Sequence, residues 1–190
     1  YSIIFYFNYT YAIIFKKVEG GLTMLEFIEP CIELKNEIQE FKEDFIHNNE
    51  VIHGGFKLAE FTIEEWIQFN NNKDIDTVTS GYVSAHTFFA LVDGKIVGIV
   101  NARHNLNDYL LNYGGHIGYS VKKSERNKGY AKSMLKYASS FLFSLGLDKV
   151  LITCDHENIA SKKTIESCGG VLENIVKEDN SYTLRYWIYK

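Results

Sequence analysis

The stretch Ser124–Leu135, "SERNKGYAKSML", decides how this chain is read. It sets basic residues around a glycine just where an apolar helical pattern begins, and glycine inside a helix costs about 1 kcal/mol relative to alanine. The compensation lies in what a helix start can bind. First-turn N–H groups lack intrahelical acceptors, and the macrodipole adds about half a positive charge, so a helix start attracts anions. Gly129 lets a ligand approach the backbone, Ala131 is too small to obstruct it, and Arg126, Lys128 and Lys132 can neutralise its charge. A solvated basic turn is the bland alternative for this segment taken alone.

Outward from that turn, the chain alternates strand and helix patterns. His116–Val121, "HIGYSV", reads as a strand leading into the turn. After it, Met134, Ala138, Phe141, Leu142 and Leu145 share one helical face, and Gly146 ends the helix. Lys149–Asp155, "KVLITCD", is an apolar run of the buried-strand kind. Asn158 can cap a helix reaching Cys168, and strands near Val171–Lys177 and Tyr182–Tyr189 flank a turn at Asp179-Asn180. Upstream, Thr87–Val92 and Lys95–Ala102 surround Asp93-Gly94, a strong hairpin signal. Leu34, Ile38, Phe41 and Phe45 predict an amphipathic helix over Ile32–Ile46, and Thr62-x-x-Glu65 is a capping box opening a shorter one. The polar run 70–81 and the stretch 104–115 read as loops. The order is strand, two helices, three strands, helix, strand, helix, two strands, which predicts an α+β fold with a mixed central sheet.

The turn lacks the residues of a P-loop or a dinucleotide-binding fingerprint. What stands there is Arg126-x-x-Gly129-x-Ala131 between a strand and an amphipathic helix. This resembles the Arg/Gln-x-x-Gly-x-Gly/Ala signature of the GCN5-related N-acetyltransferases (GNAT). The likeness continues through "IGYSV", "KVLITCD" and "ENIASKKTIESCGG", covering 115–170, and the run Ala102–Val121 is similar to a bacterial group of predicted acetyltransferases. The resemblance implies an acyl-CoA N-acyltransferase fold: a mostly antiparallel sheet of six to seven strands, about four helices, and a splay between the fourth and fifth strands. It also implies acetyl-CoA as cosubstrate with no metal. Backbone groups of Ile117, Tyr119 and Val121 would hold pantetheine, and amides of Arg126, Asn127, Lys128, Gly129, Tyr130 and Ala131 the pyrophosphate. Asn158 and Ser161 would reach CoA near its thiol arm, although Asn158 also reads as a plain helix cap.

Transfer of acetyl to an amine needs that amine neutral. A lysine-like amine is neutral at pH 7 only at a cost of about 4.6 kcal/mol, whereas an α-amine costs about 1 to 1.5 kcal/mol. His116 and His104 titrate in the right range and are the candidate bases. Many relatives place a tyrosine, as acid to the departing thiolate, where this chain has Ile165. That departure leaves a non-catalytic acyl-CoA-binding module as the alternative function.

Composition bounds the rest. A formal net charge of -4 argues against a general nucleic-acid binder, and three cysteines without a C-x-x-C pair argue against a zinc site and for a reducing, cytoplasmic compartment. Residues 1–23 begin with an apolar, aromatic run shorter than the roughly 20 residues of a membrane span. Met24 opens an ordinary first strand, so 1–23 are expected to be translated upstream sequence or a non-native leader, and 24–190 one acetyltransferase domain. Partners are then acetyl-CoA and an amine, without nucleic acid or membrane. A homodimer could form if "YTLRYWIY", 182–189, lies at a sheet edge.

Overall fold

In the computed structural model, residues 11–18, 21–71 and 81–190 are described. The chain runs β1 (Tyr11–Val18), β2 (Gly21–Ile28), α1 (Lys35–His47), α2 (Ile63–Asn71), β3 (Ala85–Val92) and β4 (Lys95–Arg103). It continues through β5 (Ile117–Val121), α3 (Tyr130–Ser144), β6 (Lys149–Asp155), α4 (Ile159–Ser167), β7 (Val171–Glu178) and β8 (Ser181–Tyr189). The strands form two antiparallel sheets, ordered β1-β2-β3-β4-β5 and β6-β8-β7. The expected strand from Met24 is β2, and the hairpin around Asp93-Gly94 pairs Val92 with Lys95. β1 lies within the segment read as foreign to the domain and pairs with β2 from Tyr11↔Ile28 to Val18↔Gly21.

Period-2 alternation in β3 builds both sides of the core. Phe88 packs with α3, its ring 5.2 Å from Phe141 and 5.1 Å from Tyr137. Phe89 faces the other way, 6.0 Å from Phe41 of α1 and 5.7 Å from Trp66 of α2. All six side chains are essentially excluded from solvent, and each contributes about 1.5–3 kcal/mol by leaving water. The expected capping box at α2 is formed: Glu65 N–H donates to Thr62 Oγ1 (3.3 Å) and Thr62 N–H to Glu65 Oε2 (3.1 Å). Trp66 Nε1–H donates to the carbonyls of Gly55 and Phe56, both at 2.9 Å, and so pins the α1–α2 loop to the core.

Two sequence expectations change. The segment 104–115 is not all loop, since Leu110–Gly114 forms a π-turn. The strand "YTLRYWIY" is not an edge: β8 lies between β6 and β7, which leaves β7 outermost, with Val171, Leu172 and Ile175 exposed. The expected splay is present: no ladder joins β5 to β6, and the strands fall into two sheets there. Most of the polar run 70–81, at 72–80, lies outside the described residues, as do 1–10. Among the described residues, no helix is long and apolar enough to cross a membrane.

Candidate active site

The turn that opened the sequence reading is built for close approach. A 3-10 turn (Lys123–Glu125) leads to Arg126 in extended conformation, then Asn127 and Gly129 both take left-handed φ, 63° and 78°. Gly129 is therefore the N-cap of α3 and not an interior helical residue, so it carries no interior helix penalty. A left-handed backbone explains the glycine directly, because a Cβ there is strained. No side chain caps the helix at Gly129, so the start of α3 faces outward as a main-chain cradle. Two of the cationic side chains around it, Arg126 and Lys128, are engaged. Arg126 makes a bidentate ion pair with Glu50 and donates through Nε to Val121 O (3.1 Å), and Lys128 pairs with Glu125 at 2.9 Å. Arg126 thus ties the loop after α1 to the turn.

Beside the cradle, β5 and β6 form a wedge. Arg103 N–H donates to His116 O (2.8 Å) and Lys122 N–H to Val97 O (2.9 Å), with Asn101↔Gly118 in register between them. Alternation in an antiparallel ladder then sends the main-chain groups of Gly118 and Ser120 to β4, and those of Ile117, Tyr119 and Val121 away from it, toward β6. On β6, both main-chain groups of Leu151 go to His116, so Thr153 and Asp155 aim the same way. Two strand edges face each other and share hydrogen bonds only at the vertex. An extended amide-bearing arm fits such a slot, with its anionic end at the α3 cradle. This is how the residues present fit a CoA molecule, and the three β5 residues expected to hold pantetheine are those whose main chain faces the slot.

His116 makes the vertex. Its N–H donates to Leu151 O (2.7 Å), and Leu151 N–H donates to its Nδ1 (2.9 Å), which fixes the neutral ring with its proton on Nε2. The ring is buried, and its pKa is pushed down to about 4, chiefly by burial, with the Arg103 charge adding to it. Such a ring is a weak base. His104 lies elsewhere. By strand alternation it follows Ala102 onto the α3 side of the sheet, while His116 takes the opposite side to Ile117, so the two candidate bases are not brought together. His104 Nε2 is 2.7 Å from His86 Nδ1, with the rings stacked at 4.8 Å, and His86 Nε2 is 3.7 Å from Glu29 Oε1. Sequence reading missed Glu29 and His86, since only strand pairing brings positions so far apart in the chain together.

Across the wedge, Asn158 is the N-cap of α4, its Oδ1 accepting from Ser161 N–H at 3.0 Å. Ser161 Oγ lies 2.9 Å from the hydroxyl of Tyr119, whose pKa burial pushes up to about 12. The Tyr119 side chain therefore reaches from β5 to α4. Ile165 is fully buried and supplies core packing only. On the other face of β5, Gly54 of the α1–α2 loop sits so close that a Cβ would meet Gly118 O at 2.4 Å. Beside it, His53 keeps an exposed edge and has its pKa lowered, first by partial desolvation and second by the Arg103 charge. The Arg103 guanidinium donates to Gly114 O and Gly115 O, both at 2.9 Å, holding the π-turn over the vertex.

A strand pair splayed beside an uncapped helix start is the arrangement that the resemblance implies for an acyl-CoA-binding class of fold. The sequence model of the Acetyltransferase (GNAT) family matches residues 53–169, and the chain belongs to that family. The uncharacterized N-acetyltransferase YjdG of Bacillus subtilis (strain 168) is 31% identical over 77 residues, 38% of this chain and 41% of that protein. The match thus spans less than half of that relative's length. Among solved structures, Mycobacterium smegmatis RimJ in complex with CoA-disulfide superposes with a TM-score of 0.67 at 17% identity, covering 93% of this chain and 86% of RimJ. The microcin C7 self immunity acetyltransferase MccE, in complex with acetyl-CoA and AMP, gives a TM-score of 0.59 at 21% identity, covering 87% and 92%. At these identities the two structures establish the shared fold.

Proposed function

We propose that the chain is an acetyl-CoA-dependent N-acetyltransferase that moves acetyl directly from the CoA thioester to a primary amine of a small molecule or peptide. The observation that carries this reading is the wedge: main-chain groups of Ile117, Tyr119 and Val121 aim into it, and it opens onto the uncapped start of α3 at Gly129. Amides of Arg126 to Ala131 hold the diphosphate, and Asn158 and Ser161 line the opposite wall. The acceptor amine enters from the side of the α1–α2 loop and the π-turn.

Of the two candidate bases, His116 is committed to Leu151 and hard to protonate, and His104 is uncommitted to the vertex but stands on the α3 side of the sheet, so it would serve the amine from across the slot. His104 Nε2 and His86 Nδ1 share one proton at 2.7 Å, and His86 Nε2 faces Glu29 Oε1 at 3.7 Å, so the three groups form one titratable cluster. An α-amine needs only modest help of this kind, whereas a lysine-like amine needs much more. The setting is read as bacterial and cytoplasmic, with 24–190 as the acetyltransferase domain.

The buried Ile165, where relatives carry the acid, favours one second reading: a module of the same fold that binds acyl-CoA without turning it over. A coupled thiol-release assay over a panel of amines, paired with calorimetric titration of CoA, separates the two. Turnover on at least one amine supports the enzyme, and tight binding without acetylated product supports the module.

A further inference from the structure

Resting on that acetyl-transfer reading, we propose that Tyr119 is a catalytic residue: its hydroxyl, partnered by Ser161, donates to the CoA sulfur as the thioester breaks. α4 offers no hydroxyl at Ile165, which is fully buried. β5 offers one instead. Tyr119 belongs to the row of residues whose main chain faces the slot, and its hydroxyl crosses to Ser161 Oγ at 2.9 Å, one helical turn after the Asn158 cap. Thr164 of α4 is a further hydrogen-bonding neighbour, and the thiols of Cys154 on β6 and Cys168 after α4 are the titratable groups facing it. Burial raises the pKa of both thiols, Cys154 to about 11, so they stay protonated and do not compete as anions. An arm that starts at the α3 cradle beside Val121 and runs along β5 toward the His116 vertex passes Tyr119, and the proposal places its sulfur beside this hydroxyl.

The amine lone pair forms the C–N bond, the C–S bond breaks, and its electron pair stays on sulfur. Tyr119 O–H passes a proton to that sulfur and recovers one shed by the attacking nitrogen through Ser161 and solvent. A phenol pushed to about 12 does not fully protonate a thiolate of pKa about 8.5, so loss and recovery are coupled and the hydroxyl acts first as a hydrogen-bond donor. A wedge-closing contact without chemistry would place the same two atoms together, and the test separates the two roles.

The full chain and its Tyr119→Phe variant are compared in three measurements: calorimetric affinity for CoA and desulfo-CoA, turnover of acetyl-CoA, and the thiol pKa of bound CoA from thiolate absorbance. Tyr119→Phe is expected to keep desulfo-CoA affinity, to lose about 100-fold in kcat, and to raise the bound thiol pKa by about one unit. Equal kcat and equal thiol pKa in the two proteins would overturn the proposal while leaving acetyl transfer standing. If the wild type binds CoA but acetylates nothing, the transfer reading fails and, with it, the catalytic role of Tyr119. If it binds no CoA, both fail. Should Tyr119→Phe not fold, Ser161→Ala carries the same comparison: an unchanged kcat and thiol pKa there would count against the hydroxyl pair.

Discussion

His116 and Leu151 hold each other twice, once through main chain alone (2.7 Å) and once through the imidazole Nδ1 (2.9 Å). The ring does at the vertex what a ladder bond would do in a closed sheet. Below it, β5 and β6 part and the slot begins.

This staple predicts a pH dependence of stability. The folded pKa of His116, about 4, lies below the ordinary 6.5, so as pH falls the unfolded chain takes the proton first. Its contribution is whole above pH 6.5 and is lost as pH falls toward 4, by roughly 3 kcal/mol in all. His116→Asn, which retains an acceptor but cannot titrate, should show a shallower fall in unfolding free energy over that window, measured by denaturant melts. Identical slopes would contradict the assignment.

The approach of the α1–α2 loop to β5 predicts a second effect. Gly54 has φ +84° and would place a Cβ 2.4 Å from the Gly118 carbonyl, which is backbone and cannot swing aside. Gly54→Ala should cost more than about 1 kcal/mol and displace the loop from β5. In steady-state kinetics the KM for the amine should rise severalfold more than the KM for acetyl-CoA, whose cradle is on another element.

Much of this fold was legible in the sequence because its signals are local. The Asp93-Gly94 pair, the Thr62–Glu65 box and the apolar face of α3 each declare an element within a few residues. Gly129 was legible as a site of close approach but not as a left-handed N-cap, since its φ depends on how the preceding 3-10 turn aims the chain. Pairing across the chain was not legible at all. The insertion of β8 between β6 and β7, the His86–His104 contact and the bridge from Tyr119 to Ser161 all join residues whose spacing carries no period. In sequence Tyr119 has a main-chain role only; Ile165, where relatives carry a tyrosine, leaves water, no acid at all or a group on another element equally open, and spacing cannot choose among them.

The bidentate pair of Arg126 with Glu50 predicts a change of opposite sign for stability and for binding. The pair is partly exposed, so Glu50→Gln should cost less than about 1 kcal/mol in a thermal melt. The same change frees a guanidinium beside the diphosphate cradle and removes a negative charge, so CoA should bind more tightly, most clearly at low salt. Arg126→Ala should reverse the gain. Weaker CoA binding by Glu50→Gln would contradict this reading of the turn.

Left-handed φ at Gly129 predicts how substitutions there divide. Gly129→Asn, which tolerates that region, should melt close to the wild type, whereas β-branched Gly129→Val should lose about 1–2 kcal/mol. Calorimetry should find CoA binding weakened in both, because each adds a Cβ to the cradle, and most in the valine variant. Unchanged affinity in Gly129→Val would place the diphosphate elsewhere.

The central claim is that the slot between β5 and β6 receives the CoA arm on the main chain of β5, and amide hydrogen exchange reads that main chain residue by residue. On adding CoA, the N–H groups of Ile117, Tyr119 and Val121 should slow markedly, while those of Gly118 and Ser120, already committed to β4, should change little. Protection without that alternation, or none along β5 while CoA is bound, would contradict the account.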